Sequence, residues 1–348
     1  MTRSLTLGLL AALTVFFVAP SPRAGDAAER SKHGKFCSGT ARTAFAGCNS
    51  ATRDDFKTAL AACQNLADAG ARADCGATAK SDRDDAAQTC RDQLHARLDV
   101  CDQVGEGRYD PAFAPSDFDA DPKQPSQPNP YFPTAVGDRW EFQSDSESEV
   151  VEIQDKTKDI EGVHCIVSHD RVLDSDGNLS EDTNDWFAHA KTGDVWYCGE
   201  ETAQFETFAG DDPPEPELVG VEGAFKAGRD GAKPGVVFPA TPTVGVTLRQ
   251  EFLIGDAEDV STVLSTAYSF GHDADLDQKV PAELANALCS KDCAVTKDFS
   301  ALEPDVVEHK YFARGIGVFL EIELSADGEV NRLVSCNMDP KCAHLPAP

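Results

Sequence analysis

Six cysteines in the first third of the chain restrict its fold more than any other feature. Cys37, Cys48, Cys63, Cys75, Cys90 and Cys101 group into pairs that are mirror images about position 69: Cys37 with Cys101, Cys48 with Cys90 and Cys63 with Cys75. Two antiparallel helices turning beside Gly70 set the members of each pair opposite one another, so the pattern predicts a helical hairpin closed by three nested disulfides. Along one helix, spacings of 11 and 15 residues advance by about 20° and 60° beyond whole turns, which keeps the cysteines on one drifting stripe. No proline occurs between Ser31 and Asp110, and alanine dominates a stretch whose other residues are compatible with helix. Gly70 is expected to end the first helix. Few large apolar side chains serve this rod (Phe36, Phe45, Phe56, Leu60, Leu66, Leu94 and Leu98), so it needs its cross-links.

The other six cysteines read as staples in the second half. Cys289 with Cys293 and Cys336 with Cys342 each close a small loop, which leaves Cys165 and Cys198 to pair between predicted strands. Twelve cysteines without C-x-x-C clustering fit an oxidising compartment and argue against a thiolate metal site. The N-terminus agrees with export. Arg3, the uncharged run Leu5 to Val18, then Pro20, Pro22 and small residues read as a signal peptide over 1–27. The apolar run is shorter than the roughly 20 residues that span a bilayer, and no later stretch is long and apolar enough. A secreted or periplasmic protein with no integral membrane segment after signal removal is expected.

Charge divides the rest. The chain has 348 residues and a formal net charge of −29, and the acid excess lies beyond residue 110, where 46 Asp+Glu face 17 Lys+Arg. A nucleic-acid partner is excluded, because a surface that displaces phosphate counterions needs a basic stripe. Pro, Asp and Ser dominate 105–128, which reads as an extended linker between the hairpin (31–104) and an acidic domain over 129–348. Period-two and apolar runs predict strands at 137–142, 149–153, 163–172, 185–189, 195–198, 246–254, 293–299, 306–313, 316–324 and 330–336. Turns are expected at Asp174–Asn178 and at 326–328, and long loops with one or two short strands over 211–245. The fold class is α+β: a disulfide-linked hairpin followed by an antiparallel, curved sheet or half-barrel.

Several segments of the second domain carry a family likeness. Asn129-Pro-Tyr-Phe-Pro133 with Gly137 and Trp140, Asp185-Trp-Phe-Ala188, Gly193 to Glu200, Ala227 to Gly235, Arg249-Gln-Glu-Phe252 with Ala257-Glu-Asp259, and Lys310 to Gly317 span most of 129–320. Together they resemble an uncharacterised group of exported, β-rich bacterial proteins. The resemblance implies export and a β-rich fold, and brings no assigned chemistry. His189-Ala190 departs from the Gln-Asp-like pair expected there.

Candidate binding residues concentrate around Asp185 to Glu200: Trp186 and Trp196, read as a cross-strand pair or a stacking platform, with Glu200. Arg249, Glu251 and Tyr311 complete the set, Arg249 and Glu251 being placed on one strand face where they can pair. The leading reading is a non-catalytic exported protein that binds or docks an unknown small molecule or protein, its concave sheet sheltering an apolar or lipid-like ligand. The alternative from another class is a secreted hydrolase using carboxylates near Asp185, Glu200 and Glu251. A third is a calcium- or copper-binding surface protein. No G-x-S-x-G elbow, H-E-x-x-H helix or Walker glycine loop is present, and no cofactor is expected. Acids clustered in a wide polar cleft favour the hydrolase, and a dry apolar concavity favours the binder.

Overall fold

The computed structural model describes residues 34–325 and 328–347. The signal-peptide reading and part of the turn expected at 326–328 lie outside the described residues. Helices α1 (Phe36–Gln64) and α2 (Ala69–Val104) form the hairpin. Its three disulfides are Cys37–Cys101, Cys48–Cys90 and Cys63–Cys75, the pairs that mirror symmetry requires. The turn differs from expectation. It occupies 65–68, and Gly70 sits within the first turn of α2. Asp68 takes the capping role, its side chain accepting from the Ala71 N–H at 2.8 Å, while Arg72 Nη1 donates to the Leu66 and Ala67 carbonyls. A side-chain acceptor at the N-cap satisfies an orphan amide outright, which a glycine cannot do.

With little core of its own, the hairpin depends on these staples. In the Cys48→Ala/Cys90→Ala double variant the middle bridge, of sequence separation 42, no longer restricts the unfolded chain. A stability loss of roughly 4 kcal/mol is expected from loop entropy. Helical circular dichroism should melt ahead of the strand signal; coincident melting at the wild-type temperature would contradict this.

The second half is one large antiparallel sheet. Its strands are β1 (Arg139–Gln143), β2 (Glu147–Ile160), β3 (Val163–Asp174), β4 (Leu179–His189) and β5 (Val195–Glu206). Then follow β6 (Glu217–Gly220), β7 (Lys233–Phe238), β8 (Thr247–Arg249), β9 (Glu251–Phe252) and β10 (Asp259–Tyr268). After a short helix α3 (Ala282–Leu288) come β11 (Cys293–Ser300), β12 (Val307–Ala313), β13 (Gly317–Glu323) and β14 (Val330–Cys336). The strand path runs β8-β10-β11-β12-β13-β14-β1-β2-β3-β4-β5-β7-β9, with β6 paired to β5. Its two ends, β8 and β9, are separated in sequence by Gln250 alone, so the sheet curls into a nearly closed barrel. Gly235 makes the approach of β7 possible, since a Cβ there would lie 2.3–2.4 Å from the backbone of Arg249 and Gln250.

The remaining disulfides are Cys165–Cys198, joining β3 to β5, and the local Cys289–Cys293 and Cys336–Cys342. None of the twelve cysteines is free. Six disulfides fit an extracytoplasmic location. Among the described residues no helix is long and apolar enough to cross a membrane.

Two layers cover the outside of the barrel. Leu284 and Leu288 of α3 pack with Tyr311, Leu320 and Ile322 on the outer face of β12 and β13. On the opposite flank, residues of the predicted linker lie against β4 and β5. Phe118 is buried and bridges to Ala190, the Asp119 N–H donates to the His189 carbonyl, and Phe113 meets Phe118 edge to face. The hairpin is anchored too: Arg97 of α2 and Glu258, just before β10, form a buried ion pair at 2.6 Å.

Candidate functional site: an acidic barrel lumen

Alternation along the strands decides which side chains enter the barrel. Register places Ser168, Asp185 and Glu200 side by side on β3, β4 and β5. On the far wall, Ser261, Asp298 and Glu308 align across β10, β11 and β12, and Lys310 lies opposite Glu321 of β13. Both walls line one central chamber of about 280 Å³, where Asp185, Glu251, Asp259, Asp298 and Glu321 surround the single cation Lys310. A floor chamber of about 160 Å³ adjoins it, built mostly from apolar side chains, among them Phe132, Trp140, Phe142, Phe187 and Val318, with Glu149, Asp170 and Asp185 also lining it. A third, of about 200 Å³, opens beside Glu147, Glu149, Glu308 and Glu329. The lumen is therefore mostly apolar at one end and carboxylate-lined over the rest.

Partners are too few for this many acids. Lys310 Nζ sits 3.0 Å from Glu321 and 3.6 Å from Glu308. The Tyr197 hydroxyl donates to Asp185 Oδ1 at 2.5 Å, Thr202 to Glu200 at 3.1 Å, Ser261 to Asp298 at 2.6 Å, and Asn331 Nδ2 to Glu149 at 2.6 Å. Asp170 Oδ1 is buried with no hydrogen-bond partner. Burial, reinforced by neighbouring carboxylates, pushes Glu149 up to about 7 and Glu200 up to about 8. Asp185 is pushed up to about 6 by burial, against the opposing hydroxyl of Tyr197. Glu251, Asp259 and Asp298 are raised for the same first reason. Lys310 is raised as well, which keeps it firmly protonated: burial opposes its charge, but Glu321, Glu308 and Asp298 outweigh that burial.

The residues singled out from the sequence separate into three places. Asp185, Glu200 and Glu251 converge on the lumen, with Glu251 only 6% exposed. Trp186 and Trp196 are on the outer face and two residues out of register, Trp186 pairing with Gly199 and Trp196 with Ala188. Trp186 lies in the apolar layer under Phe118, with the Lys158 ammonium 4.3 Å above its ring. Tyr311 is fully buried beneath α3, its hydroxyl donating to the Leu276 carbonyl at 2.6 Å, so it is a core residue. Arg249 and Glu251 do not pair: Glu251 faces the lumen, while Arg249 and the edge of Trp196 face a separate cleft between the hairpin and the barrel. Sequence reasoning missed Asp170, Asp259, Asp298, Lys310 and Glu321. Their signal was a polar or charged residue at alternate positions of a strand (Ser168 and Asp170, Asp259 and Ser261, Thr296 and Asp298, Glu308 and Lys310, Glu321 and Glu323), which reads as a solvent-facing pattern until the sheet closes.

Among the described residues no group of three or more His, Cys, Asp or Glu side chains is arranged to hold a metal ion. No protein-family model and no curated protein matches the chain. Two solved structures are similar to part of it. One is named a "putative lipoprotein" of Parabacteroides distasonis, with TM-score 0.28 and 7% identity over 61% of this chain and 100% of that one. The other, from Bacteroides fragilis, is named a "putative exported protein with YmcC-like fold", with TM-score 0.28 and 10% identity over 60% of this chain and 98% of that one. Likeness at that level transfers neither fold nor chemistry to this chain.

Proposed function

We propose that this is an exported, non-catalytic binding protein whose barrel shelters a small molecule with an apolar body and a positively charged group. One observation carries the reading: five carboxylates line the central chamber against a single lysine, next to an aromatic floor. A buried carboxylate without a counter-charge either takes up a proton or recruits a cation. An ammonium entering the chamber supplies the missing charge while its apolar part rests on Phe132, Trp140 and Phe187. A wholly apolar ligand matches the floor alone.

Phenethylamine is a suitable probe, titrated calorimetrically into the full disulfide-bonded protein. Saturable binding is expected at pH 8, at least tenfold weaker at pH 5, where the lumen holds its protons. Glu251→Gln should weaken it about tenfold, and the neutral analogue phenethyl alcohol should not bind. Equal binding of amine and alcohol, or no uptake of the amine, would overturn the reading.

A second reading rests on the contact of Tyr197 with Asp185 and the register of Asp185 with Glu200. Two neighbouring carboxyl groups with separated pKa values, about 6 and about 8, are the pattern of a general acid–base pair. Turnover of a glycoside or ester panel, abolished in Glu200→Gln, would replace the binding reading with a hydrolase.

A further inference from the structure

Between the hairpin and the barrel lies a cleft of about 680 Å³, larger than any chamber of the lumen and of opposite character. Phe36, Ala41 and Val104 of the hairpin form one wall; Tyr109, Trp196 and Phe252 form much of the other. The charges in it are uneven. Arg97 is matched by Glu258, and Lys233 by Asp110 at 2.6 Å. Arg249 and Arg108 line the same cleft, and among the described residues no carboxylate lies within ion-pair distance of either. In a chain of formal net charge −29 this is a local excess of positive charge.

Arg249 is held as if waiting for an acceptor. Its guanidinium stacks 4.7 Å from the Phe252 ring and 5.5 Å from the Tyr109 ring, and Tyr109 is fixed by a 2.9 Å hydrogen bond to the Pro234 carbonyl. Arg249 Nε is buried without any hydrogen-bond partner. Its one polar contact is a weak 3.7 Å approach of Nη2 to Cys37 Sγ. Glu258 is already occupied, taking both Arg97 donors and the Gly255 N–H. An arginine fork leaves room for a planar anion, and buried donors gain most from a charged acceptor. Arg108, 4.1 Å above the Phe36 ring, adds a second cation at the rim.

We propose that this cleft binds a single-chain anionic amphiphile, its carboxylate on Arg249 and its apolar chain along Phe36, Val104, Trp196 and Phe252. The site is independent of the lumen, and the two take ligands of opposite charge. Long, largely apolar walls suit an alkyl chain, and one part-buried guanidinium, with Arg108 at the rim, suits one compact anionic head.

Dodecanoate, kept below its micelle concentration, tests this by calorimetry on the full disulfide-bonded protein, with dodecanol as the uncharged comparison. Dodecanoate is expected to bind at least tenfold more tightly than dodecanol. Arg249→Gln should remove that preference and leave dodecanol uptake unchanged, so a folded variant reports on itself; Arg249→Lys should retain part of it. Tryptophan emission should shift on binding and lose the shift in Trp196→Phe. Saturation with phenethylamine should leave dodecanoate uptake unchanged, which separates this cleft from the lumen whatever the amine does there. Equal affinities for acid and alcohol, or an unaltered preference in Arg249→Gln, would overturn the proposal. So would failure to take up either probe, the result expected if a second copy of the chain covers the cleft.

Discussion

Acidification from pH 8 to pH 5 is expected to raise the melting temperature, the reverse of the behaviour of a protein held by ionised, paired carboxylates. The sign follows from the lumen. Glu149, Glu200 and Asp185 titrate near 7, 8 and 6 in the folded protein, all raised chiefly by burial, whereas in the unfolded chain they titrate near 4. Between these values the native state keeps protons that the unfolded state has released. Stability then falls with rising pH. The contribution of these three acids is greatest below their unfolded values and is lost progressively up to about pH 8. Because the three groups share one field, their contributions do not add, and a net loss on the order of 3 kcal/mol is reasonable. For a chain of 348 residues that corresponds to roughly 4 °C.

General repulsion among surface acids also eases on acidification, so the test needs a variant. Glu149→Gln/Glu200→Gln keeps the shape of the lumen and nearly all of the surface charge. Its curve should be flatter, and at pH 8 it should melt above wild type. A flat wild-type curve, or a variant parallel to wild type, would show that these acids are not held protonated. Two acids held by hydrogen bonds act oppositely at lower pH. Hydrogen bonds from Asn178 hold Asp174 below its ordinary value, and the Ser146 hydroxyl does the same for Glu329. Their stabilisation disappears in strong acid, so the optimum falls near pH 5.

How much of this was legible in the sequence depends on the range of the interaction. The hairpin was, because disulfide geometry converts sequence spacing into distance, and mirror symmetry about position 69 leaves a single pairing for helices of even rise. Most strands were, from alternation. β10 was not: Asp259-Val-Ser-Thr-Val-Leu-Ser-Thr puts Asp259 and Ser261 into a polar lumen, so its inward face lacks the apolar signature that marks a core. The closure of the barrel was also hidden, since it depends on Gly235 lying against Arg249 and Gln250, a contact with no periodic trace. Asp185, Glu200 and Glu251 were identified as a group, but the inward direction of the acids was not, because alternation gives two faces and does not say which is enclosed. The opposite happened to Trp186 and Trp196. Their aromatic character suggested a cross-strand pair or a stacking platform, and the linker segment that covers them has no pattern beyond isolated phenylalanines.

Arg97→Met should be the most damaging single substitution in the hairpin. Arg97 Nε and Nη2 donate to both carboxylate oxygens of Glu258, at 2.6–3.1 Å, across 161 residues of sequence, and the two side chains are 7% and 2% exposed. Removing one partner of such a pair strands a buried charge, which costs about 3–5 kcal/mol. Glu258→Gln should cost a comparable amount. The double variant Arg97→Met/Glu258→Leu removes both charges and fills the space with apolar atoms; it should recover most of the loss and can exceed wild type. The coupling in this cycle, read by denaturant unfolding, is therefore large and of a sign that only a desolvated pair produces. Each single variant should also expose the 105–128 segment to protease, since the docked hairpin and Tyr109 keep it against the barrel. If Arg97→Met unfolds within 1 kcal/mol of wild type, a threshold well under the range for a buried pair, the hairpin is held by its other contacts, Gln93 to the Leu302 carbonyl and Thr247 to Gln103. The cleft beside Arg249 would then have a mobile wall, and the acid-over-alcohol preference expected there would shrink with it.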